Sequence, residues 1–245
     1  MGEAGGDPGP TVDDWRVTMR WSELLFAHWP VDASALRPLV HEGVEIETFD
    51  GKAWLGVIPF VMSRVRLRGL PPLPGVRRFA ELNVRTYVRR RGERGVWFFS
   101  LDASAWAAVV AARSWYRLNY RWARMRVVAD AESGEVGYAS RRRDGSAAFD
   151  AVYGPTGEPA RAEPGTLGHF LTERRLLFTR GRGGRLFRAP VRHAPWRLRP
   201  AEASIALNTM ASPLGIDLAG PAADLRYADP VDTVAGAPAL LGEGG

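Results

Sequence analysis

The sequence contains no cysteine among its 245 residues. This absence excludes disulfide bonds, thiolate metal ligands and a cysteine nucleophile. Lysine is almost absent as well, because Lys52 is the single lysine and the other 32 basic residues are arginines. Such a skew is typical of a GC-rich genome, so the arginine count and the net charge of +6 do not by themselves favour a nucleic-acid partner.

Several signals of location and chemistry are also missing. No apolar run reaches the roughly 18 residues of a membrane span, and the first residues carry neither the basic nor the apolar segment of a secretory signal. We therefore expect a cytoplasmic protein without membrane contact. The four histidines, His28, His41, His169 and His193, lack HxH or HExxH spacing, so no metal site is expected. GxSxG and Gly-rich nucleotide motifs are absent, and we expect no cofactor.

The chain is long and apolar enough to bury one large core, with 46% hydrophobic residues. Both ends are rich in glycine, alanine and proline, which predicts a disordered tail at 1–13 and a flexible tail at 231–245. The intervening residues 14–230 are predicted to form a single domain.

Strand patterns dominate that domain. A long or bent strand is predicted from Trp15 to Trp29, ended by Pro30, and Asp50-Gly51 predicts a hairpin turn. Other predicted strands lie at 44–49, 52–67, 78–90, 95–102, 135–143, 147–154, 175–181, 184–200 and 223–229, and a further strand is entered through the segment 115–125. Short helices are predicted at 33–40, 103–116 and 165–175, the first capped by Asp32 and the second by Asp102 or Ser104. Since strands and long helices do not alternate, we predict an α+β, mainly β, antiparallel architecture, a curved sheet or barrel around a pocket.

The segment "RFAELNVRTYVRR" carries a polar face of mixed charge. Alternation places four side chains on this face: Glu81, Asn83, Arg85 and Tyr87. Two interpretations stay open at this point. The face is either solvated, with weak cross-strand ion pairs, or it lines an internal pocket together with His28-Trp29 and Asn119-Tyr120-Arg121.

Arginine-rich segments could suggest nucleic-acid binding. However, "RRRGER", "SRRRDG" and "TRGRGGR" lie at predicted turns, where charge usually serves solvation. Trp97, Phe98 and Phe99 are consecutive and therefore point to both faces of a strand, unlike an exposed stacking platform. We expect no nucleic-acid partner.

Four long segments resemble a known family. They are "LLFAHWPVDASALRPLVHEGVEIETFDGKAWLGVIPFVM", "GVRRFAELNVRTYV", "GVWFFSLDAS" and "HFLTERRLLFT" with the following "RLFRAPVRHAPWRLRPAEA". The order and the amino-acid sequences of these segments are similar to those of the YqjF-like family of uncharacterised bacterial proteins over roughly residues 15 to 210. That resemblance implies an acetoacetate decarboxylase-like fold, a barrel or cone of mostly antiparallel strands around a central pocket with two or three short helices.

The more remote resemblance to the decarboxylase also implies site positions. There, a lysine in a Gly-aromatic-Pro-Lys-Lys turn forms a Schiff base with the substrate ketone, and a second lysine lowers its pKa. Alignment of this turn with "YRLNYRWA" puts Asn119 at the proline, Tyr120 at the nucleophile and Arg121 at its cationic neighbour. Tyrosine cannot form an imine, and Lys52 follows a turn where an exposed lysine is expected. The same resemblance implies that Glu81 and Arg20 correspond to a glutamate and an arginine of the decarboxylase pocket.

The resulting hypothesis is a small-molecule pocket for a carboxylate or carbonyl compound, either an enzyme that works without a Schiff base or a binding protein. Tyr120 is predicted as acid or hydrogen-bond donor, Arg121 as anion holder and Glu81 as base or orienting carboxylate. The predicted binding residues are Arg20, His28, Asn83, Arg85 and Asn119. An enzyme would be a lyase, isomerase or hydrolase based on proton transfer. The alternative is a non-catalytic ligand-binding protein or structural homo-oligomer, with its pocket filled by side chains.

Overall fold

The computed structural model describes residues 15–70, 77–115, 118–218 and 220–242. The predicted tail at 1–13 and part of the proline-rich loop after β4 lie outside these residues. The described residues form strands β1 Trp15–Ser22, β2 Leu24–Val31, β3 Glu45–Ile46, β4 Ala53–Leu67, β5 Arg78–Arg90, β6 Glu93–Ala103, β7 Tyr120–Ala129, β8 Val136–Arg142, β9 Ala148–Pro155, β10 Leu176–Arg180, β11 Leu186–His193, β12 Leu198–Asn208, β13 Asp224–Ala228, β14 Val231–Gly236 and β15 Ala239–Leu240. The helices are α1 Ala33–Leu36, α2 Trp106–Trp115 and α3 Leu167–Thr172, with short 3-10 turns at Arg37–Leu39, Arg182–Gly184 and Ser212–Leu214.

The strands form one curved, mixed sheet whose pairings close two circuits. In the first circuit β1, β14, β11, β10, β6, β5 and β4 pair in turn, and β4 pairs back to β1. In the second, β2, β13, β12, β9, β8, β7, β6, β5 and β4 pair in turn, and β4 returns to β2. The shared strands β4, β5 and β6 therefore form a wall between two interiors.

The prediction of a mainly β, mostly antiparallel fold with short helices is confirmed, although the sheet is mixed. Strand β6 pairs in parallel with β7 and with β10. The reason is the connection between β6 and β7, which contains helix α2, and such crossovers join parallel strands.

Each side of the shared wall has its own core. Successive side chains of a strand point to opposite faces, so Leu82 and Val84 of β5 join the core that also contains Tyr138 of β8. Phe79 and Tyr87, at odd positions of the same strand, join the core that contains Phe170 of α3. The predicted polar face of β5 therefore belongs to the interior of the first circuit, the one that contains Phe170.

Several predicted boundaries are wrong. The strand predicted from Trp15 to Trp29 breaks at Glu23, whose φ of +48° turns the chain between β1 and β2. Pro30 does not end β2, because pairing with β13 stops at His28 and leaves that side of Pro30 without a strand partner. The C-terminal tail expected at 231–245 contains β14, which pairs with both β1 and β11, and residues 243–245 lie outside the described part. Strand β12 also continues beyond 200 to Asn208.

The predicted helix caps have other roles. The Asp32 side chain makes no capping hydrogen bond and instead lies 3.0 Å from the Lys52 Nζ. Asp102 belongs to β6, and the Ser104 hydroxyl accepts a hydrogen bond from the Ala80 N–H. Among the described residues, no helix is long and apolar enough to cross a membrane.

Candidate functional site

A cavity of about 190 Å³ lies inside the first circuit. This volume is below the roughly 300–1,000 Å³ of pockets for drug-sized molecules, so an occupant would be small. Its walls are mostly apolar and aromatic, and they include Trp21, Phe26, Phe60, Phe98 and Trp196. The few polar lining groups therefore stand out as candidates for chemistry.

Strand β5 supplies three of these polar groups: Glu81, Asn83 and Arg85. They line the cavity because they occupy alternate positions of one face. The polar face is thus internal, and the solvated interpretation left open by the sequence does not hold. The Asn83 Oδ1 is buried and has no hydrogen-bond partner among the described residues.

Glu81 is paired with Tyr120. The Tyr120 hydroxyl donates to the Glu81 Oε2 over 3.0 Å, and the carboxyl group is 2% exposed. The pKa of Glu81 is raised from its ordinary 4.5 to about 8, mainly by burial; the bond from Tyr120 opposes this rise and the nearby Asp102 adds to it. At neutral pH this carboxyl group is therefore mostly protonated and can donate a proton.

Behind Glu81 lies a buried ion pair between β6 and β8. The Arg142 guanidinium donates to both oxygens of Asp102, over 2.8 and 2.9 Å, and to the Ser100 hydroxyl over 2.6 Å. Two-pronged geometry of this kind compensates much of the cost of burying the charges. The pair joins β6 of the shared wall to β8 of the second circuit.

Arg85 forms a second polar region of the cavity. One of its Nη groups donates to the Tyr87 hydroxyl over 3.3 Å and to the Leu171 carbonyl over 3.0 Å, and the guanidinium lies 5.2 Å from the Phe26 ring centroid. Its Nε is buried without a partner. Within the described part of the chain, no carboxylate lies within ion-pair distance of Arg85, so this cation faces the cavity uncompensated.

Arg174 lies beside Arg85. Its guanidinium contacts Glu47 and donates to the Phe170 carbonyl over 2.8 Å, and it lies 5.1 Å from the Tyr87 ring centroid. The Arg85 guanidinium is 5.5 Å from the same ring. One Nη group of Arg174 is buried without a partner. Two guanidinium groups therefore lie close to the Tyr87 ring at one end of the cavity, and of these two only Arg174 contacts a carboxylate among the described residues.

His28 supports this cationic end without lining the cavity. Its Nε2 is 2.5 Å from the Tyr87 hydroxyl, and its Nδ1 is 3.7 Å from Asp224, too far for a hydrogen bond. Burial lowers the pKa of His28 to about 4, so the ring is neutral near pH 7. The Tyr87 hydroxyl thus lies between the His28 ring and the Arg85 guanidinium, which donates to its oxygen. His28 therefore orients Tyr87, and through it Arg85.

His193 and Arg174 line the cavity but were not among the predicted site residues. The His193 Nδ1 donates to the Ala194 carbonyl over 2.7 Å, its ring lies 4.6 Å from that of Trp196, and burial lowers its pKa to about 4. Neither residue belongs to a motif, and each is far from β5 in sequence. Alternation within β11 could have predicted that His193 lies on an inward face, but it could not have predicted which cavity that face lines.

Three predicted site residues lie elsewhere. Arg121 is exposed, because Tyr120 points inward and the next side chain of β7 must point outward. Arg20 likewise follows an inward Met19 and lies 3.1 Å from Asp232 at the surface. Asn119 is exposed and its amide donates to the Phe99 carbonyl over 2.6 Å. The structure therefore does not bring Arg121 to the cavity as its predicted role requires, and the arginines in the cavity lining are Arg85 and Arg174.

Lys52 is also outside the cavity. Its side chain is 56% exposed and pairs with Asp32 on the surface, as the turn after Asp50-Gly51 predicts. In the described part of the chain, no group of three or more acidic or histidine side chains is arranged to hold a metal ion.

Solved structures identify the class of this fold. Over 94% of both chains, it matches an acetoacetate decarboxylase-like enzyme from Sphingomonas wittichii RW1, with a TM-score of 0.64 and 15% identity. It matches acetoacetate decarboxylase from Legionella pneumophila with a TM-score of 0.63 and 12% identity, over 97% of this chain and 93% of that chain. It also matches the enduracididine biosynthesis enzyme MppR, complexed with the condensation product of pyruvate and imidazole 4-carboxaldehyde. The TM-score is 0.66 and the identity 12%, over 92% of this chain and 88% of that chain. The fold is therefore acetoacetate decarboxylase-like.

The chain belongs to the DUF2071 family of uncharacterised conserved proteins, whose model matches residues 18–232. It is also 42% identical over 221 residues to the uncharacterised protein YqjF of Bacillus subtilis strain 168, covering 90% of each chain. This agrees with the YqjF-like resemblance of the sequence.

Proposed function

We propose that this protein binds a small carboxylate that also bears a carbonyl group, with the ligand carboxylate at Arg85 and the acid pair Glu81–Tyr120 further along the cavity. The observation that carries the proposal is the partly buried guanidinium of Arg85, which faces the cavity without a carboxylate partner among the described residues. Its buried Nε has no hydrogen-bond partner there, and an unsatisfied buried donor costs about 1–3 kcal/mol. An anionic ligand would offset that cost.

The unpartnered atoms support the same assignment. The Nε of Arg85 and an Nη of Arg174 are free donors at the cationic end, and the Asn83 Oδ1 is a free acceptor in between. Charge-assisted bonds from guanidinium to carboxylate are short and strong. A ligand carboxylate would thus satisfy the two guanidinium donors, whereas the Asn83 Oδ1 would need a donor that a carbonyl oxygen does not supply.

The proposed chemistry is proton transfer rather than imine formation. At pH 7 the Glu81 carboxyl, with a pKa of about 8, carries its proton. We expect it to act as an acid, so that its O–H bond breaks while a new O–H bond forms on the ligand carbonyl oxygen, and Tyr120 stabilises the resulting carboxylate. This replaces the predicted role of Glu81 as a base at neutral pH. Schiff-base chemistry is not proposed, because Lys52 lies outside the cavity.

The cavity also bears on the rival hypothesis. A structural protein with a filled interior would need no space there, whereas about 190 Å³ is open. This space supports ligand binding over the filled alternative. Homo-oligomer formation, a cytoplasmic location and the absence of nucleic-acid binding stay predictions.

Replacement of Arg85 tests the proposal. We expect Arg85→Gln to weaken the binding of 2-oxo acids and simple carboxylates at least about tenfold, since a charge-assisted bond contributes roughly 1.5–3 kcal/mol. Isothermal titration calorimetry at pH 7 measures this effect. Arg20→Gln is the matched control, because Arg20 is an arginine on the outward face of β1, and it should leave affinity unchanged. Equal affinities of wild type and Arg85→Gln, or no carboxylate binding at all, would contradict the proposal.

A further inference from the structure

We infer that the ligand is an elongated monocarboxylate with an apolar tail, rather than a compact acid of three or four carbons. This inference rests on the proposed function and adds the shape and polarity of the ligand. It depends on how the polar groups are spaced along β5 and on what surrounds them.

The two polar regions of the cavity are far apart. Arg85 and Glu81 are four residues apart on one strand, which separates their Cα atoms by about 13 Å. The Arg85 guanidinium points further away, toward the Leu171 carbonyl, and Arg85 is not among the groups that shift the Glu81 pKa. A ligand held at Arg85 therefore needs an extended chain on the order of eight bonds to reach Glu81.

The wall along this path is apolar at every level of the strand. The cross-strand neighbours on the cavity side are Phe98 beside Arg85, Ile58 and Leu101 beside Asn83, Phe60 and Ala103 beside Glu81, and Met62 beside Phe79. The opposite side carries the stacked rings of Trp21 and Trp196, 5.9 Å apart and inclined by 15°. These surfaces favour a methylene chain or an aryl group over a hydrated one.

Polar groups are also unequally distributed between the ends. Thr172 and Arg174 line the cavity near Arg85, on the segment whose Leu171 carbonyl Arg85 contacts. The other end, beyond Glu81, is lined by Val17, Val65 and Leu67. These aliphatic side chains offer a second carboxylate no hydrogen-bond donor. The cavity therefore favours one carboxylate and an apolar tail.

A chain-length series tests this inference. Titration calorimetry of unbranched acids from propanoate to decanoate should show affinity rising roughly three- to fourfold per methylene until the tail fills the cavity. Octanol should bind at least about tenfold more weakly than octanoate, because it lacks the charge that Arg85 pairs with.

A variant at the apolar end tests the direction of the tail. Val65→Trp should weaken octanoate binding at least about tenfold and leave butanoate nearly unchanged. Arg66→Trp is the control, since the adjacent side chain of β4 is exposed on the opposite face. Val65 is partly exposed, and the wild-type series stands on its own if this variant does not fold.

The outcomes separate the two proposals. If propanoate binds as tightly as octanoate and Arg85→Gln abolishes both, the tail is overturned and the proposed function stands. If octanol binds as well as octanoate, the claim that the ligand is held by its carboxylate is overturned. If no carboxylate of any length binds, the proposed function fails together with this inference.

Discussion

Tyr120 and Arg121 are neighbours in the sequence, yet the fold gives them opposite environments. Tyr120 is buried and donates to Glu81, whereas Arg121 is exposed. Burial then changes the chemistry of each inward residue, because desolvation favours the neutral form of an ionisable group. Glu81 keeps its proton at neutral pH, and His28 and His193 lose theirs. Arg85 and Arg174 are the cations of the cavity.

At the residue scale, removal of the Tyr120 hydroxyl should raise the pKa of Glu81 above about 8, because the hydrogen bond it donates lowers that pKa. Tyr120→Phe should also cost about 1–3 kcal/mol of unfolding free energy, since it leaves a buried acceptor without its donor. Carboxyl-carbon NMR titration measures the first effect and urea unfolding the second. Tyr227→Phe, a tyrosine of the other core, is the control and should leave the Glu81 titration unchanged. A Glu81 pKa that falls in Tyr120→Phe would refute the assignment.

At the scale of elements, the shared wall of β4, β5 and β6 determines the site, and its close contacts depend on small residues. Strand β6 pairs in parallel with β10 through residues that follow Gly95. A Cβ atom at Gly95 would lie 2.6 Å from the Leu176 carbonyl oxygen and 2.8 Å from the Phe178 ring. The first circuit can therefore close at this point because residue 95 has no side chain.

Gly95→Ala should consequently destabilise the protein by about 1–3 kcal/mol, as overpacking does. Gly137→Ala is the matched control on β8, where the nearest atom to an added Cβ is the Val128 carbonyl oxygen at 3.8 Å. That change should stay within about 0.5 kcal/mol. Urea unfolding of both variants compares them, and similar midpoints would show that β6 and β10 do not approach as closely as described.

At the scale of the whole molecule, buried ionisable groups determine how stability varies with pH. His28 and His193 have pKa values lowered to about 4 from 6.5, so the unfolded chain gains protons that the fold excludes as pH falls through that range. Glu81 has a pKa raised to about 8 from 4.5, so the fold retains a proton that the unfolded chain has lost as pH rises. Below pH 6.5 the loss of stability caused by the two histidines exceeds the gain caused by the single glutamate.

Stability should therefore be greatest near pH 6.5 and fall on both sides. Glu81→Gln should remove most of the fall between pH 6.5 and 8 and should be more stable than wild type at pH 8, with each pKa unit contributing about 1.4 kcal/mol. Thermal unfolding across pH 4 to 9 measures both profiles. Parallel curves for wild type and Glu81→Gln would mean that Glu81 titrates normally in the folded protein.

The sequence by itself determined the mainly β class, the polar face of β5 and the family, because these depend on local alternation and on long quoted segments. It also predicted that Glu81, Asn83 and Arg85 share one face. Only the tertiary structure decided that this face points into a cavity, since a period of two fixes which side chains share a side but not which side is enclosed. The cavity is enclosed by strands β10, β11 and β14, which are far from β5 in the chain. They bring to the cavity His193, at the end of β11, and Arg174, just before β10. The same closure places Arg121 and Arg20 outside.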